Sequence, residues 1–185
     1  MADFSGGKGL HTYTVQEAVN SNLGKIVRVT PTLTIGSPTA FQNPDPFVNN
    51  AEIPNAVAYP GGTSRLLGVA IQSKDNEDFM HDILFHQTSG AVLGTVNPGS
   101  GTANISDSDF LALNYIGFIN VAAGDTNQLA TCSYGMATPP VSQNGALLLQ
   151  ADAGSTSVYF SCLMRDEPTL ASTTDVTWIF HIEYK

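Results

Sequence analysis

Apolar residues recur at every second position along most of this chain, the spacing typical of β-strands with one buried face. The stretch DVTWIFHIEY (175–184) is the clearest case, because Val176, Trp178, Phe180, Ile182 and Tyr184 fall on one side. In SVYFSCLMR (157–165), Val158, Phe160, Cys162 and Met164 alternate in the same way. Further strands are predicted at 25–36, 66–72, 79–86, 90–96, 115–122, 128–136 and 145–151. Many short strands separated by Gly, Pro and Asn turns predict an all-β protein, a sandwich or a barrel.

Helical signals are few. Thr14 and Glu17 form a capping box ahead of a short apolar stripe, and Gly24 follows as a stop, which predicts one short helix. In ISDSDFLALN (105–114), Ser106 is an N-cap with Asp109 three residues on, which predicts a helical turn. Residues 1–13 are rich in Gly and lack periodicity, so we expect an extended N-terminal arm.

Prolines interrupt the pattern before the main series of strands. Pro31 breaks the 25–36 strand, which we therefore expect to bend or to lie at an edge. Residues 37–62 contain five prolines among Asn and Asp, and this predicts a long loop or arm. Such a segment either lies flat on its own domain or grips a neighbouring protein. The expected organisation is one domain: 1–36 with the arm, helix and first strand, 37–62, and the sandwich at 63–185.

Composition narrows the function. Only 12% of the residues are charged, the net charge is −9, and the seven Lys and Arg residues are scattered. Nucleic acid and anionic membranes need a clustered basic surface, so neither is an expected partner. The chain has neither a signal-peptide core nor an apolar run of membrane-spanning length, which favours synthesis in a cytoplasm without export. Cys132 and Cys162 lie in apolar alternating stretches and are expected to pack as thiols, not as a disulfide.

The stretch SKDNEDFMHDILFH (73–86) is the strongest candidate for chemistry. On a helix, Asp78, His81, Asp82 and His86 would share one face at a spacing that suits a transition metal. On a strand, the two histidines point to opposite sides and the site is lost. The start of the stretch resembles a calcium loop but carries Met80 where Gly is required. We expect a polar turn followed by a strand over 79–86.

Nucleophile motifs fail in context. Gly99-Ser100-Gly101 lies in a Pro/Gly turn with no helix after it, and the Gly6–Gly9 run lacks the spacing of a phosphate-binding loop. A pair of carboxylates for glycoside hydrolysis stays open, because such a pair meets only in the folded chain.

The order of several short motifs resembles a group of tailed-bacteriophage head-decoration or auxiliary capsid proteins. The resemblance covers about residues 55–185 and lies in Asn55-Ala56-Val57 with Pro60-Gly61-Gly62 and LLGVAIQ, in HDILFH, in ISDSDF before YIGFINV, and in the STSVYFSCLMRDEPTLASTTDVTWIFHI ending. At Asp166-Glu167-Pro168 and in the 126–143 loop the chain departs from the pattern. The first 50 residues match nothing in it.

This resemblance implies a jelly-roll-like β-sandwich on the outside of a virion shell, with no catalytic, cofactor-binding or metal-binding residues. The implied partners are the major capsid protein, copies of itself and other virion proteins. Two other functions stay open. One is a β-sandwich module for carbohydrate or a host surface, in which Tyr13, Tyr59, Tyr115 and Tyr134 are the available aromatic platforms. The other is a metal-dependent enzyme at the 73–86 stretch.

Overall fold

The structure is a computed structural model that describes residues 24–30, 41–76, 80–90, 93–94, 96, 103, 105–140, 145–168, 170 and 172–184. The predicted arm at 1–13 and the body of the predicted helix at 14–24 lie outside these residues. The described strands are β1 Gly24–Val29, β2 Pro46–Ile53, β3 Thr63–Ser73, β4 His81–His86, β5 Tyr115–Val121, β6 Thr126–Gln128, β7 Ser133–Ala137, β8 Leu147–Gln150, β9 Val158–Met164 and β10 Val176–Tyr184. The helix α1 spans Asp107–Ala112, and a 3₁₀ turn spans Ala123–Asp125.

The strands pair in a nested order. The first strand pairs with the last, β2 pairs with β9, β3 with β8, and β4 with β5, and every pair is antiparallel. Two sheets result: sheet I has the order β1-β10-β3-β8, and sheet II has the order β2-β9-β4-β5. Eight strands in this arrangement form a jelly roll, so the prediction of an all-β sandwich is confirmed.

The strands β6 and β7 are an addition to this plan, a hairpin between β5 and β8. The strand β3 is long enough for two neighbours on one side, so Thr63–Leu66 pairs with β8 and Val69–Ser73 pairs with β7. Sheet I is therefore wider than sheet II at one end. The single predicted strand at 128–136 is wrong, because the chain reverses between Gln128 and Ser133.

The core lies between the sheets and is rich in aromatic rings. Trp178 of β10 is fully buried, and its ring centroid lies 5.6 Å from both Phe47 of β2 and Phe160 of β9. Phe180 packs edge-on against Phe160 and Phe85. The predicted inward faces of β9 and β10 are confirmed, since their alternating apolar residues are buried with the exception of the half-buried Tyr184.

The prediction of a loop or arm over 37–62 is wrong where β2 forms. Phe47, Val48 and Ile53 of β2 are buried and β2 pairs with β9 along the edge of sheet II. The prolines fall where a strand accepts them, because Pro46 is its first residue and Pro54 follows its last. Two register shifts interrupt this pairing, so the strand lacks the clean alternation that sequence patterns reveal.

Three smaller predictions meet mixed outcomes. The strand predicted at 90–96 is wrong at the four residues described there, Gly90, Leu93, Gly94 and Val96, which belong to no strand. The strand predicted at 25–36 is confirmed over 25–29, where β1 lies at the edge of sheet I and ends at Val29, whereas residues 31–36 lie outside the described residues. Both cysteines are free thiols, but only Cys162 is buried, whereas Cys132 is half-buried beside the β6–β7 reversal.

Candidate functional site

The strand β4 carries three residues of the proposed metal site, and its geometry separates them. It runs from His81 to His86, so the prediction of a strand is confirmed there, while residues 77–79 lie outside the described residues. His81 points into the core, and Asp82 and His86 lie on the outer face of sheet II. Asp82 and His86 are four residues apart on an extended chain, about 13 Å, which is too far for one metal ion. Among the described residues, no group of three or more His, Cys, Asp or Glu side chains is arranged to hold a metal.

His81 contributes to the core of the sandwich. The indole Nε1 of Trp178 donates a hydrogen bond to its Nε2, with 3.1 Å between the two atoms. Because an indole N–H only donates, Nε2 carries no proton and the imidazole is neutral. The ring also packs edge-on against Phe47, at 5.5 Å between centroids. His81 therefore satisfies the buried indole and joins β4 of sheet II to β10 of sheet I.

Asp82 is held by a cross-strand network on the outer face of sheet II. Its Oδ2 accepts from Nε of Arg165 at 2.7 Å, and its Oδ1 accepts from Nδ2 of Asn120 at 2.7 Å. The network connects β5, β4 and the residue after β9. Both carboxylate oxygens of Asp82 are therefore engaged in hydrogen bonds between strands. Together with burial, its charge raises the pKa of the phenol of Tyr115.

His86 is equally well partnered. Its Nδ1 lies 2.8 Å from the carbonyl oxygen of Thr88, which only accepts, so Nδ1 carries the proton. Its Nε2 then accepts from Oγ of Ser161 at 3.1 Å, and that hydroxyl in turn accepts from the backbone N–H of Asn50. Burial lowers the pKa of His86, although its hydrogen bond to Thr88 acts in the opposite direction.

One pair of carboxyl groups does meet in the fold. The side chains of Asp75, just after β3, and Asp175, just before β10, share a hydrogen bond, and burial together with this contact raises the pKa of Asp175. Glycosidases hold their two carboxyl groups at least about 5 Å apart, farther than a shared hydrogen bond allows. Backbone N–H groups of Ser172 and Lys74 bond to Asp175. The pair therefore ties two turns together.

A polar cleft lies beside β5 and β8. The cleft consists of two adjoining hollows that share Gln87 and Gln150 in their linings. Asn114 and Tyr115 lie at one end, and Asp152 lies at the other. Amide side chains both donate and accept hydrogen bonds, and the Tyr115 ring offers an apolar surface, so the cleft suits a neutral ligand with many hydroxyl groups. Sequence patterns did not reveal this site because its residues come from four separate connections and strands.

The outer surfaces of both sheets carry exposed apolar side chains. Eleven large apolar or aromatic residues among those described are at least 40% exposed: Ile26, Tyr59, Leu67, Phe110, Leu111, Tyr115, Phe118, Leu129, Tyr134, Met136 and Leu148. The helix α1 buries none of its residues. Single exposed apolar residues are ordinary, whereas contiguous groups of them mark contact surfaces.

No protein family model matches the chain, and no curated protein matches it. Within the part of the chain that the structure describes, no helix has the length and apolar character needed to cross a membrane.

The Trp178–His81 hydrogen bond leads to a prediction about stability. Trp178→Phe leaves Nε2 of His81 buried without its donor and should lower the free energy of unfolding by about 1–3 kcal/mol, in addition to the loss of ring volume. In a double-mutant cycle with His81→Phe, urea unfolding should give a coupling energy of about 1 kcal/mol. Additive effects of the two substitutions would show that the bond contributes nothing to stability.

Burial of His86 predicts a dependence of stability on pH. The pKa of His86 is lowered from 6.5 in the folded chain. Below pH 6.5 its imidazole is therefore protonated in the unfolded chain while it is still neutral in the folded chain. The contribution of His86 to the free energy of unfolding is fully present above pH 6.5. It is lost as the pH falls toward the pKa of the folded chain, and the free energy of unfolding then changes by at most about 1.4 kcal/mol per pH unit.

The measurement is the free energy of unfolding of the wild type and of His86→Gln between about pH 8 and about pH 5. The variant should be less stable than the wild type at the higher pH, because it loses the imidazole contacts. It should also lose less stability on acidification. If the free energy of unfolding falls with pH at the same rate in both proteins, groups other than His86 cause the acid sensitivity.

Proposed function

We propose that this chain is a virion structural protein, a head decoration or auxiliary capsid protein that binds and stabilises the exterior of a capsid. The observation that carries the proposal is the exposure of large apolar side chains on the outer faces of both sheets. A free protein leaves these faces to water, whereas a protein that works in contact with others covers them. The low content of charged residues, 12%, agrees with this interpretation.

Three further features support the proposal. The jelly roll is a fold that recurs in capsid proteins, although a fold alone never fixes a function. The motif order of residues 55–185 resembles that of phage head proteins. Of the four residues that suggested a metal site, His81, Asp82 and His86 are engaged in structural hydrogen bonds, and Asp78 lies outside the described residues. The proposal assigns the chain to the virion surface, with the major capsid protein as its partner and without a catalytic role.

The mechanism requires only binding. A protein that binds an assembled shell, and not its free subunits, stabilises the shell by mass action in proportion to its occupancy. The net charge of −9 suits an outward-facing position, because the packaged genome is itself polyanionic and repels an acidic protein.

The test uses expanded, undecorated shells of the capsid protein encoded in the same genome. Purified full-length chain should cosediment with them, saturate at a fixed copy number, and raise the temperature at which the shells disassemble. Unexpanded shells serve as the control for nonspecific adsorption. Absence of cosedimentation at micromolar concentration would reject the proposal.

The polar cleft supports a second candidate function, a module that binds a neutral saccharide. Gln87, Gln150 and Asn114 offer paired donors and acceptors, and Tyr115 is 42% exposed beside them. If this function holds, a glycan array should give hits that Gln150→Ala abolishes. Gln42→Ala, a change to an exposed glutamine outside the cleft, should leave them intact. An array without hits would remove this candidate and leave the structural role untouched.

A further inference from the structure

An acidic apolar surface surrounds the helix α1. It consists of Phe110 and Leu111 of α1, Tyr115 and Phe118 of β5, and the carboxylates Asp107 and Asp109; we call it the α1–β5 patch. The rings of Phe110 and Tyr115 lie 5.9 Å apart, and Tyr115 and Phe118 line one groove, so the apolar residues are contiguous. Leu111 is 78% exposed.

The patch is anionic as well as apolar. The nearby cation, Arg165, is already paired with Asp82, which leaves the two carboxylates of α1 uncompensated within the group. An isolated helix of six residues is unstable in water, and no residue of α1 is fully buried against its own domain, where Phe110 packs on Tyr115. Its cap at Ser106 and its exposed leucine therefore suit an element that another surface covers.

The outer face of sheet I is the second apolar surface. Its exposed apolar members are Ile26, Leu67, Tyr134, Met136 and Leu148, and its charged members are Arg28, Arg65 and Glu183; we call it the sheet I face. These positions are neighbours across the strands, as the row Arg28–Ile179–Ala70–Met136 shows. The Met136 side chain covers Gly68, where a Cβ would lie 2.9 Å from its terminal methyl carbon.

The sign of the charge differs between the two surfaces. Glu183 pairs with Arg65 at 3.1 Å, so Arg28 gives the sheet I face a net positive charge in a chain whose total is −9. Contact of the α1–β5 patch with its own copy would bring carboxylates together, and contact of the sheet I face with its own copy would oppose arginines. Contact between the unlike surfaces pairs opposite charges and buries both apolar groups.

We propose that the chain associates with itself head to tail, the α1–β5 patch of one copy covering the sheet I face of the next. Such a contact is heterologous, so repetition of one rotation closes a ring or, if the rotation does not close, extends into a filament. The screening length of about 8 Å at physiological ionic strength confines the repulsion of the net charges, and the local pairing of opposite patches prevails at contact. The association is independent of whether the chain binds a capsid.

Substitutions of two exposed residues test whether the α1–β5 patch contacts the sheet I face. Leu111→Ser removes the most exposed side chain of the α1–β5 patch, and Met136→Ser removes a half-exposed one from the sheet I face. The mass of the full-length chain in solution, measured by sedimentation velocity, should exceed that of a monomer for the wild type. Each variant should weaken association by about tenfold or more, because central apolar contacts dominate interfaces. Tyr59→Ser changes a residue outside both surfaces, with an exposure between those of Leu111 and Met136, and should leave the mass unchanged.

An equimolar mixture of the two variants separates the possible contacts. At a protein concentration at which each variant alone is a monomer, a head-to-tail assembly predicts one dimer and nothing larger in the mixture, because one intact surface of each kind remains. A variant that associates with itself as strongly as the wild type would indicate that its substituted surface takes no part in the contact and would overturn the proposal, as would a monomeric wild type or a mixture that stays monomeric. Melting temperatures verify folding, and Leu148→Ser replaces Met136→Ser if that variant unfolds.

Discussion

The fold depends on the pairing of its first strand with its last. The ladder between β1 and β10 is the outermost of a nested series, and it joins the two described strands that are most distant in sequence. Trp178, which fills the centre of the core, lies on β10 and therefore takes its place only when this strand docks. Such a topology makes most contacts distant in sequence, which is costly in loop-closure entropy and slows folding.

Hydrogen bonds between buried polar groups fix the alignment of the two sheets. The jelly roll must align two sheets, and apolar packing alone tolerates sliding. The bond between Trp178 and His81 joins the sheets at one point, and the chain of hydrogen bonds through Asn50, Ser161 and His86 fixes three strands of sheet II. Each misalignment would leave a buried polar atom without its partner, at a cost of about 1–3 kcal/mol. Two residues of the predicted metal site, His81 and His86, have this structural role.

Sequence reasoning was reliable where one physical period dominates. Alternation identified β9 and β10 and placed Trp178 and Phe180 in the core, because both strands are buried on one regular face. It failed for β2, where bulges break the alternation and flanking prolines suggest a loop. The α1 cap was predictable from Ser106 and Asp109, whose bond is purely local. The polar cleft and the pairing of Asp75 with Asp175 could not be predicted, because they depend on how strands distant in sequence align with one another.

The nested pairing also brings the two ends of the described fold together. Gly24 opposes Glu183 in the ladder, so the chain enters and leaves the sandwich at the same corner. The order of strands along the chain is thus separable from their arrangement in space. A circular permutant that omits residues 1–23, links residue 184 to residue 24 and opens at the exposed Gly154 turn would keep all eight described ladders.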